Sequence, residues 1–287
     1  MSIQWYPGHV ARARQEILRH LKAVDAVVEV RDARIPAASK NPDADRLLSG
    51  IARLVALNKA DLADRALTEA WLARLKAEGL PAVATDAQKG SGVRELLAAV
   101  ENLVEDRLAA WMSKGRQRRP LRLMVVGVPN VGKSSLINRL AGRSGAKTGD
   151  KPGVTRGPQW LKVGRDLELL DMPGILWPKI GDPEVGFRLA ATGAIEARLF
   201  SAEAVALRLV EWLETVRPGT LAARYGVELA ATATPEETLE EVGRRRGCLV
   251  AGGRVDLERA AATLLSDFRA GRLGGYTLDE PPSEEPE

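Results

Sequence analysis

The chain has 287 residues, 45% of them apolar and 28% charged, with a net charge of +4 and a single cysteine, Cys248. That composition suits a globular protein with room for one large and one smaller domain. It excludes an intramolecular disulfide, and no run reaches the ~18 apolar residues that a membrane span needs.

The opening MSIQWYPGHVARAR lacks the continuous apolar segment of a secretory signal, so the chain is expected to be complete, cytoplasmic and, by default, monomeric. Ala11–Lys22 is a basic helical stretch in which His20 reads as a surface residue. Three β-like apolar runs follow, Val24–Val30, Arg53–Leu57 and Leu80–Ala84. Helical periodicity covers Thr68–Glu78 and Gly92–Ala110. Strands alternating with helices predict a parallel sheet covered on both faces. KGRQRRP then breaks the periodicity as a linker. Another strand, Leu121–Val126, leads through a Gly-rich turn into a helix from Lys133. Gln159–Val163 and Leu167–Leu170, split by a Gly-Arg-Asp turn, predict a hairpin.

From about residue 180 the pattern becomes helical, over Pro183–Gly193, Ala202–Val216, Pro235–Arg245 and Asp256–Gly271. The last nine residues, DEPPSEEPE, are acidic and Pro-rich and read as a disordered tail. Residues 1–178 are therefore assigned to an α/β domain with a mostly parallel six-stranded sheet. Residues 179–278 are assigned to a helical domain, and 279–287 to the tail. Basic clusters at Lys114–Arg122 and Arg244–Arg246 permit nucleic-acid binding, and equally read as a solvated linker and a solvated turn. The six tryptophans form no base-stacking series. Trp71 and Trp212 fall in helices where packing explains them, and Trp5 and Trp177 flank motifs.

Gly127–Ser134, GVPNVGKS, fits the phosphate-binding pattern G-x-x-x-x-G-K-[ST] between a strand and a helix. Gly127 and Gly132 let backbone N–H groups close on phosphate oxygens at a helix N-terminus. Lys133 supplies a cation for the β/γ-phosphates, and the Ser134 hydroxyl is a candidate Mg²⁺ ligand. Asn130, Val131 and Ser135 share the loop and are candidate nucleotide contacts.

The base is read from Asn58-Lys59-Ala60-Asp61, which ends the second strand and matches N-K-x-D. A carboxylate at Asp61 accepts from guanine N1–H and the 2-amino group, which adenine does not offer together. In isolation the same four residues would serve as a helix cap. Thr85-Asp86-Ala87, after the third strand, matches the weaker motif whose backbone meets the guanine. Asp171-Met172-Pro173-Gly174 fits D-x-x-G, with Asp171 near Mg²⁺ and the Gly174 N–H near the γ-phosphate. Thr155, between the phosphate loop and this motif, sits where a switch threonine binds Mg²⁺. GTP or GDP with Mg²⁺ is the ligand set this pattern predicts.

The motifs run NKAD, TDA, phosphate loop, Thr155, DMPG, whereas an ordinary GTPase begins with the phosphate loop. This is a circular permutation, acceptable where old termini lie close together, with Ala109–Pro120 as the joining segment. The chain after DMPG then leads directly into the helical part.

Taken together, WYPGHVARA, RDARIP, NKAD, GVPNVGKSSLIN, PGVT, DMPGILWP and DFRAGRLGGYTLD span nearly the whole chain. The sequence resembles the YlqF/RbgA-type circularly permuted GTPases. The resemblance implies a ribosome biogenesis factor that acts late in assembly of the large (50S) subunit. It binds the precursor particle, with its rRNA and ribosomal proteins, and is stimulated by it. It also implies an rRNA-contacting helical domain. The glutamine that orients the attacking water in small GTPases is replaced by Ile175. The resemblance points instead to His9 as catalytic, while the residue alone reads rather as structural, capping or packing near the first helix. Asn130 resembles an asparagine that binds a monovalent cation, which makes K⁺ a candidate cofactor. The alternative function is a nucleotide-gated RNA- or protein-binding module with incidental hydrolysis. A tRNA- or translation-directed GTPase ranks last, because no tRNA-modifying domain or translation-factor barrel is evident.

Overall fold

The computed structural model describes residues 3–4, 7–113, 119–142, 158–174, 179–228, 230 and 232–282, with side chains omitted for 3–13, 106–108, 110–111 and 179. The described residues divide into two compact units, one built on Gln4–Ile180 and rejoined by the chain from Tyr276, the other built on Gly181–Gly275.

The first unit is an α/β fold. In chain order its elements are β1 (Ile3–Gln4, of which Ile3 is grouped with the other unit), α1 (Pro7–Leu21), β2 (Ala26–Asp32), α2 (Ala44–Leu47), β3 (Ala52–Asn58), α3 (Arg65–Ala77), β4 (Ala82–Thr85), α4 (Val93–Met112), β5 (Leu121–Val126), α5 (Lys133–Leu140), β6 (Gln159–Val163), β7 (Leu167–Asp171) and β8 (Lys179–Ile180). Six of these strands form one sheet in the order β4-β3-β2-β5-β7-β6. All neighbours are parallel except the β6–β7 hairpin at one edge. The sheet and its hairpin are those expected from the apolar runs.

Parallel strands covered on both faces lose the alternation of polar and apolar residues. Accordingly β2 is buried at every position, and Leu54, Val55, Ala56 and Leu57 of β3 are fully buried. Val27, Met124 and Leu170 pair in register across β2, β5 and β7. They pack with Ile17 of α1 and Leu47 of α2. Trp71 and Leu75 of α3 cover Val55 and Leu57. β2 also carries buried charges, each with a partner, as burial demands. Glu29 accepts from Arg31 Nε at 2.8 Å and from Arg53 Nε at 2.8 Å.

The second unit is helical: α6 (Pro183–Thr192), α7 (Ala202–Val216), α8 (Thr220–Tyr225), α9 (Pro235–Arg245) and α10 (Leu257–Arg269). Its starts are written in the sequence as side-chain caps. Asp182, Ser201 and Asp256 accept from the first turns of α6, α7 and α10, and Thr234 with Glu237 forms a capping box on α9. Gly243 lets α9 and α10 approach; a Cβ there would lie 2.9 Å from Ala260 Cβ. The short α8 was not anticipated, since its six residues make fewer than two turns.

The C-terminal boundary differs from the one drawn from sequence at residue 278. Tyr276–Asp279 belong with the α/β unit, and Asp279, assigned to a disordered tail, is 1% exposed. Composition suggested a tail because the stretch is acidic, but Asp279 Oδ2 accepts from two backbone N–H groups. Residues 283–287 lie outside the described residues.

Candidate functional site

From β2 the chain moves outward to β3 and β4, then resumes with β5 on the other side of β2. In open α/β sheets the crevice outside the strand ends at such a switch point is where ligands bind. The carboxyl ends of β2, β3, β4, β5 and β7 carry RDARIP, NKAD, TDA, the phosphate loop and DMPG respectively. Motifs scattered from residue 31 to residue 174 are thus brought to one edge of the sheet.

The phosphate loop takes its shape from positions that exclude side chains. Gly127 has φ +151° and Gly132 has φ +95°. A Cβ would stand 2.3 Å from the Val30 carbonyl oxygen at the first and 2.2 Å from Asn58 Nδ2 at the second. Asn130 is also left-handed, at φ 59°, a conformation asparagine tolerates better than most residues. Gly174 closes on the loop from β7: a Cβ there would lie 2.8 Å from Pro129 Cα and 2.9 Å from Lys133 Nζ. Lys133, 6% exposed, donates from Nζ to the Val128 carbonyl at 2.8 Å. Burial pushes its ammonium down to about 8, with nearby Asp171 opposing and Lys59 adding to the shift. A buried ammonium, a glycine cradle and a helix start form an anion site. Beside it the Ser134 hydroxyl donates to Asp171 Oδ2 at 3.5 Å. These two hard oxygen donors at the phosphate end suit Mg²⁺.

On the base side Asn58 and Lys59 turn inward. Asn58 Nδ2 donates to the Val131 carbonyl at 2.8 Å, while its Oδ1 accepts from Thr85 Oγ1 at 3.2 Å and from the Ala87 N–H at 3.1 Å. One side chain therefore ties together NKAD, TDA and the phosphate loop. Lys59, left-handed at φ 60°, reaches the Asn130 carbonyl at 2.5 Å. Asp61 stands in a 3-10 turn with 29% of its side chain exposed and Lys89 Nζ at 3.7 Å, so its carboxylate is accessible to a base. Asp86 instead holds its own turn, accepting from the Gln88 and Lys89 N–H groups. Arg139 of α5 donates to the Ala87 carbonyl at 3.2 Å, bracing the same loop.

Asp32 was not among the expected site residues. Its carboxylate accepts from Arg34 Nη2 at 2.7 Å and pairs with Lys59 Nζ at 2.9 Å. Burial pushes its pKa upward, but Arg34 and Lys59 outweigh this and hold the carboxyl well below the usual carboxylate range. A signal was present in the sequence: charged residues at the end of an apolar strand imply partners inside the fold.

Thr155 and Ile175 lie outside the described residues, as do Trp5 and Trp177. The backbone of His9 lies in α1, and its side chain is outside the described set. Trp71 is a core residue, as expected, 5% exposed. Among the described residues no cluster of three or more His, Cys, Asp or Glu could hold a metal by itself, and no helix is long and apolar enough to cross a membrane.

Comparison with known proteins supplies the context for this geometry. The family profile described as "50S ribosome-binding GTPase" matches residues 122–217. Ribosome biogenesis GTPase A of Bacillus cereus is 44% identical over 98% of this chain and 95% of its own length. The chain belongs to the ribosome biogenesis GTPase A family. The Thermotoga maritima member is 32% identical over 97% of this chain and 95% of its own. As a family member the chain is a P-loop GTPase that binds GTP and GDP and hydrolyses GTP. Two solved YlqF structures share the fold. A GDP-bound one has TM-score 0.65 at 28% identity, covering 92% of this chain and 98% of that chain. A GNP-bound one from T. maritima has TM-score 0.66 at 28% identity, covering 94% and 98%.

Proposed function

We propose that this GTPase acts late in assembly of the large ribosomal subunit, docking on the precursor particle with GTP bound and leaving after hydrolysis. The observation that carries the proposal is near-full-length similarity to proteins named ribosome biogenesis GTPase A. The matched "50S ribosome-binding GTPase" profile supports it. The helical unit is the proposed rRNA-facing part; Arg244, Arg245 and Arg246 are exposed at the end of α9, where a phosphate backbone would find them. Cytoplasmic location and a monomeric state complete the reading.

At the site, the backbone around Asn130, Val131, Gly132 and Ser135 and the Lys133 ammonium hold the phosphates. Asp61 reads the guanine, with the Thr85–Ala87 backbone beside it. Ser134, Thr155 and Asp171 would hold Mg²⁺, which neutralises charge on the phosphates when bound. Asn130 would take K⁺. Water attacks the γ-phosphorus, and the bond to the bridging oxygen breaks. The Gly174 N–H stabilises the γ-phosphate oxygens, and His9 orients the water in place of the missing glutamine.

The test is GTP hydrolysis by wild type and His9→Ala, with and without purified large subunits, in K⁺ and in Na⁺. Stimulation of wild type, lost in His9→Ala while GDP binding survives, is expected. Ile175 in place of glutamine favours one second reading, a nucleotide-gated binding module. Equal rates in all conditions would select it.

A further inference from the structure

Tyr276-Thr277-Leu278-Asp279 contains no GTPase motif, yet all four residues are buried in the α/β unit, none more than 4–5% exposed. Two sets of hydrogen bonds hold them. One set grips the chain just after Asp61. The Tyr276 N–H donates to the Leu62 carbonyl at 3.1 Å, the Asp64 N–H donates to Thr277 Oγ1 at 3.1 Å, and Trp71 Nε1 of α3 donates to the Asp279 carbonyl at 2.9 Å. The other set grips the turn just after Asp32. The Leu278 N–H donates to the Arg34 carbonyl at 2.7 Å and Thr277 Oγ1 donates to the Ala33 carbonyl at 3.3 Å. The Ala37 and Ala38 N–H groups both donate to Asp279 Oδ2 at 2.8 Å.

These two grips bracket the guanine-recognition loop. Leu62 and Asp64 are one and three residues past Asp61, and Asp32 is the carboxylate that pairs with Lys59. The Thr277 hydroxyl joins both sides, receiving from one and donating to the other, and Asp279 joins them through its carbonyl and its carboxylate. A carboxylate that discriminates bases by hydrogen bonding must be held within a few tenths of an ångström, and such placement comes from the residues behind it. The 3-10 turn carrying Asp61 has no side-chain cap of its own. Its position is set from outside.

We propose that Tyr276–Asp279 is a positioning strap for the guanine-recognition loop, and that Thr277 and Asp279 determine base specificity by acting through Asp61. This rests on the reading of Asp61 as the acceptor of the guanine 2-amino group.

Inosine diphosphate lacks that amino group, so the ratio of its Kd to that of GDP reports the Asp61 contact and is independent of the active fraction of protein. The ratio is measured on the full chain by competition against a fluorescent GDP, for wild type, Thr277→Val, Asp279→Ala, Asp279→Asn and Asp61→Ala. Loss of strap hydrogen bonds is expected to lower the ratio about fivefold or more in Thr277→Val and Asp279→Ala, with faster GDP release. Asp279→Asn keeps an oxygen acceptor for the two N–H groups and is expected to stay within about twofold of wild type. Should Asp279→Ala fail to fold, Thr277→Val decides alone, because it removes one hydroxyl at nearly constant shape. A wild-type ratio preserved in the folded strap variants but lost in Asp61→Ala overturns the strap alone. A ratio near one in wild type, unchanged in Asp61→Ala, overturns the reading of Asp61 and the strap with it.

Discussion

The Asn58 amide donates to the Val131 carbonyl at 2.8 Å across 73 residues of chain, joining the NKAD motif to the phosphate loop. Its carbonyl oxygen is spent as well, on Thr85 and Ala87. Asn58 is 2% exposed, so every group it leaves behind on removal is orphaned away from water. Asn58→Ala should therefore cost about 2–4 kcal/mol of stability, since each buried orphan costs about 1–3 kcal/mol. Urea unfolding measures this; a loss well below about 1 kcal/mol would refute the brace.

Gly132→Ala should be far more damaging than an ordinary Gly→Ala change. Its φ of +95° strains any side chain, and the new Cβ would lie 2.2 Å from Asn58 Nδ2. Left-handed strain of about 1–3 kcal/mol plus displacement of Asn58 predicts roughly 100-fold weaker GDP binding. Gly164→Ala is the control, with φ +61° and nothing within 4 Å of its Cβ. It should cost only about 1 kcal/mol of stability and leave GDP affinity alone. Fluorescent-GDP titration of both variants separates cradle from turn.

Asp61→Asn exchanges two acceptor oxygens for one acceptor and one donor. Guanine then meets a donor where it presents its own, and GDP affinity should fall about 100-fold or more. Xanthine carries an oxygen at that position, so xanthosine diphosphate should bind the variant better than it binds wild type. Equal GDP affinity in variant and wild type would remove Asp61 from base recognition.

Acid stability should carry the signature of Asp32. Its folded pKa lies below the ordinary 3.8, because Arg34 and Lys59 outweigh its burial. A depressed carboxylate stabilises the fold above its unfolded pKa, and that contribution is lost as pH falls through the folded value. The stability gap between wild type and Asp32→Asn should thus be about 3 kcal/mol and flat down to about pH 5, then shrink below about pH 4. Denaturant melts at stepped pH test the sign; a gap that widens on acidification would contradict it.

Much of this was legible before any coordinates. Gly127–Ser134, NKAD and DMPG depend on local geometry: glycines where φ is positive, a lysine at a helix start, a carboxylate at a strand end. Such requirements act over a few residues and leave a mark in the string. The caps at Asp182, Ser201, Thr234 and Asp256, which the structure revealed, depend on equally local geometry. Asp32 and Thr277 left weaker marks, because their partners lie in other segments of the chain.

The sequence by itself determined the chemistry on offer: a phosphate-loop pattern, the carboxylate of an N-K-x-D motif, a permuted order and a helical C-terminal third. Only the tertiary structure decided which residues brace and which face outward. It turned Asn58 and Lys59 inward, left Asp61 accessible, and moved Tyr276–Asp279 from an expected helical domain and tail into the α/β unit. Hydrogen bonds between segments up to 244 residues apart, such as Thr277 to Ala33, exist only once the chain has closed on itself. Residue type offers a donor or an acceptor; folding chooses its partner.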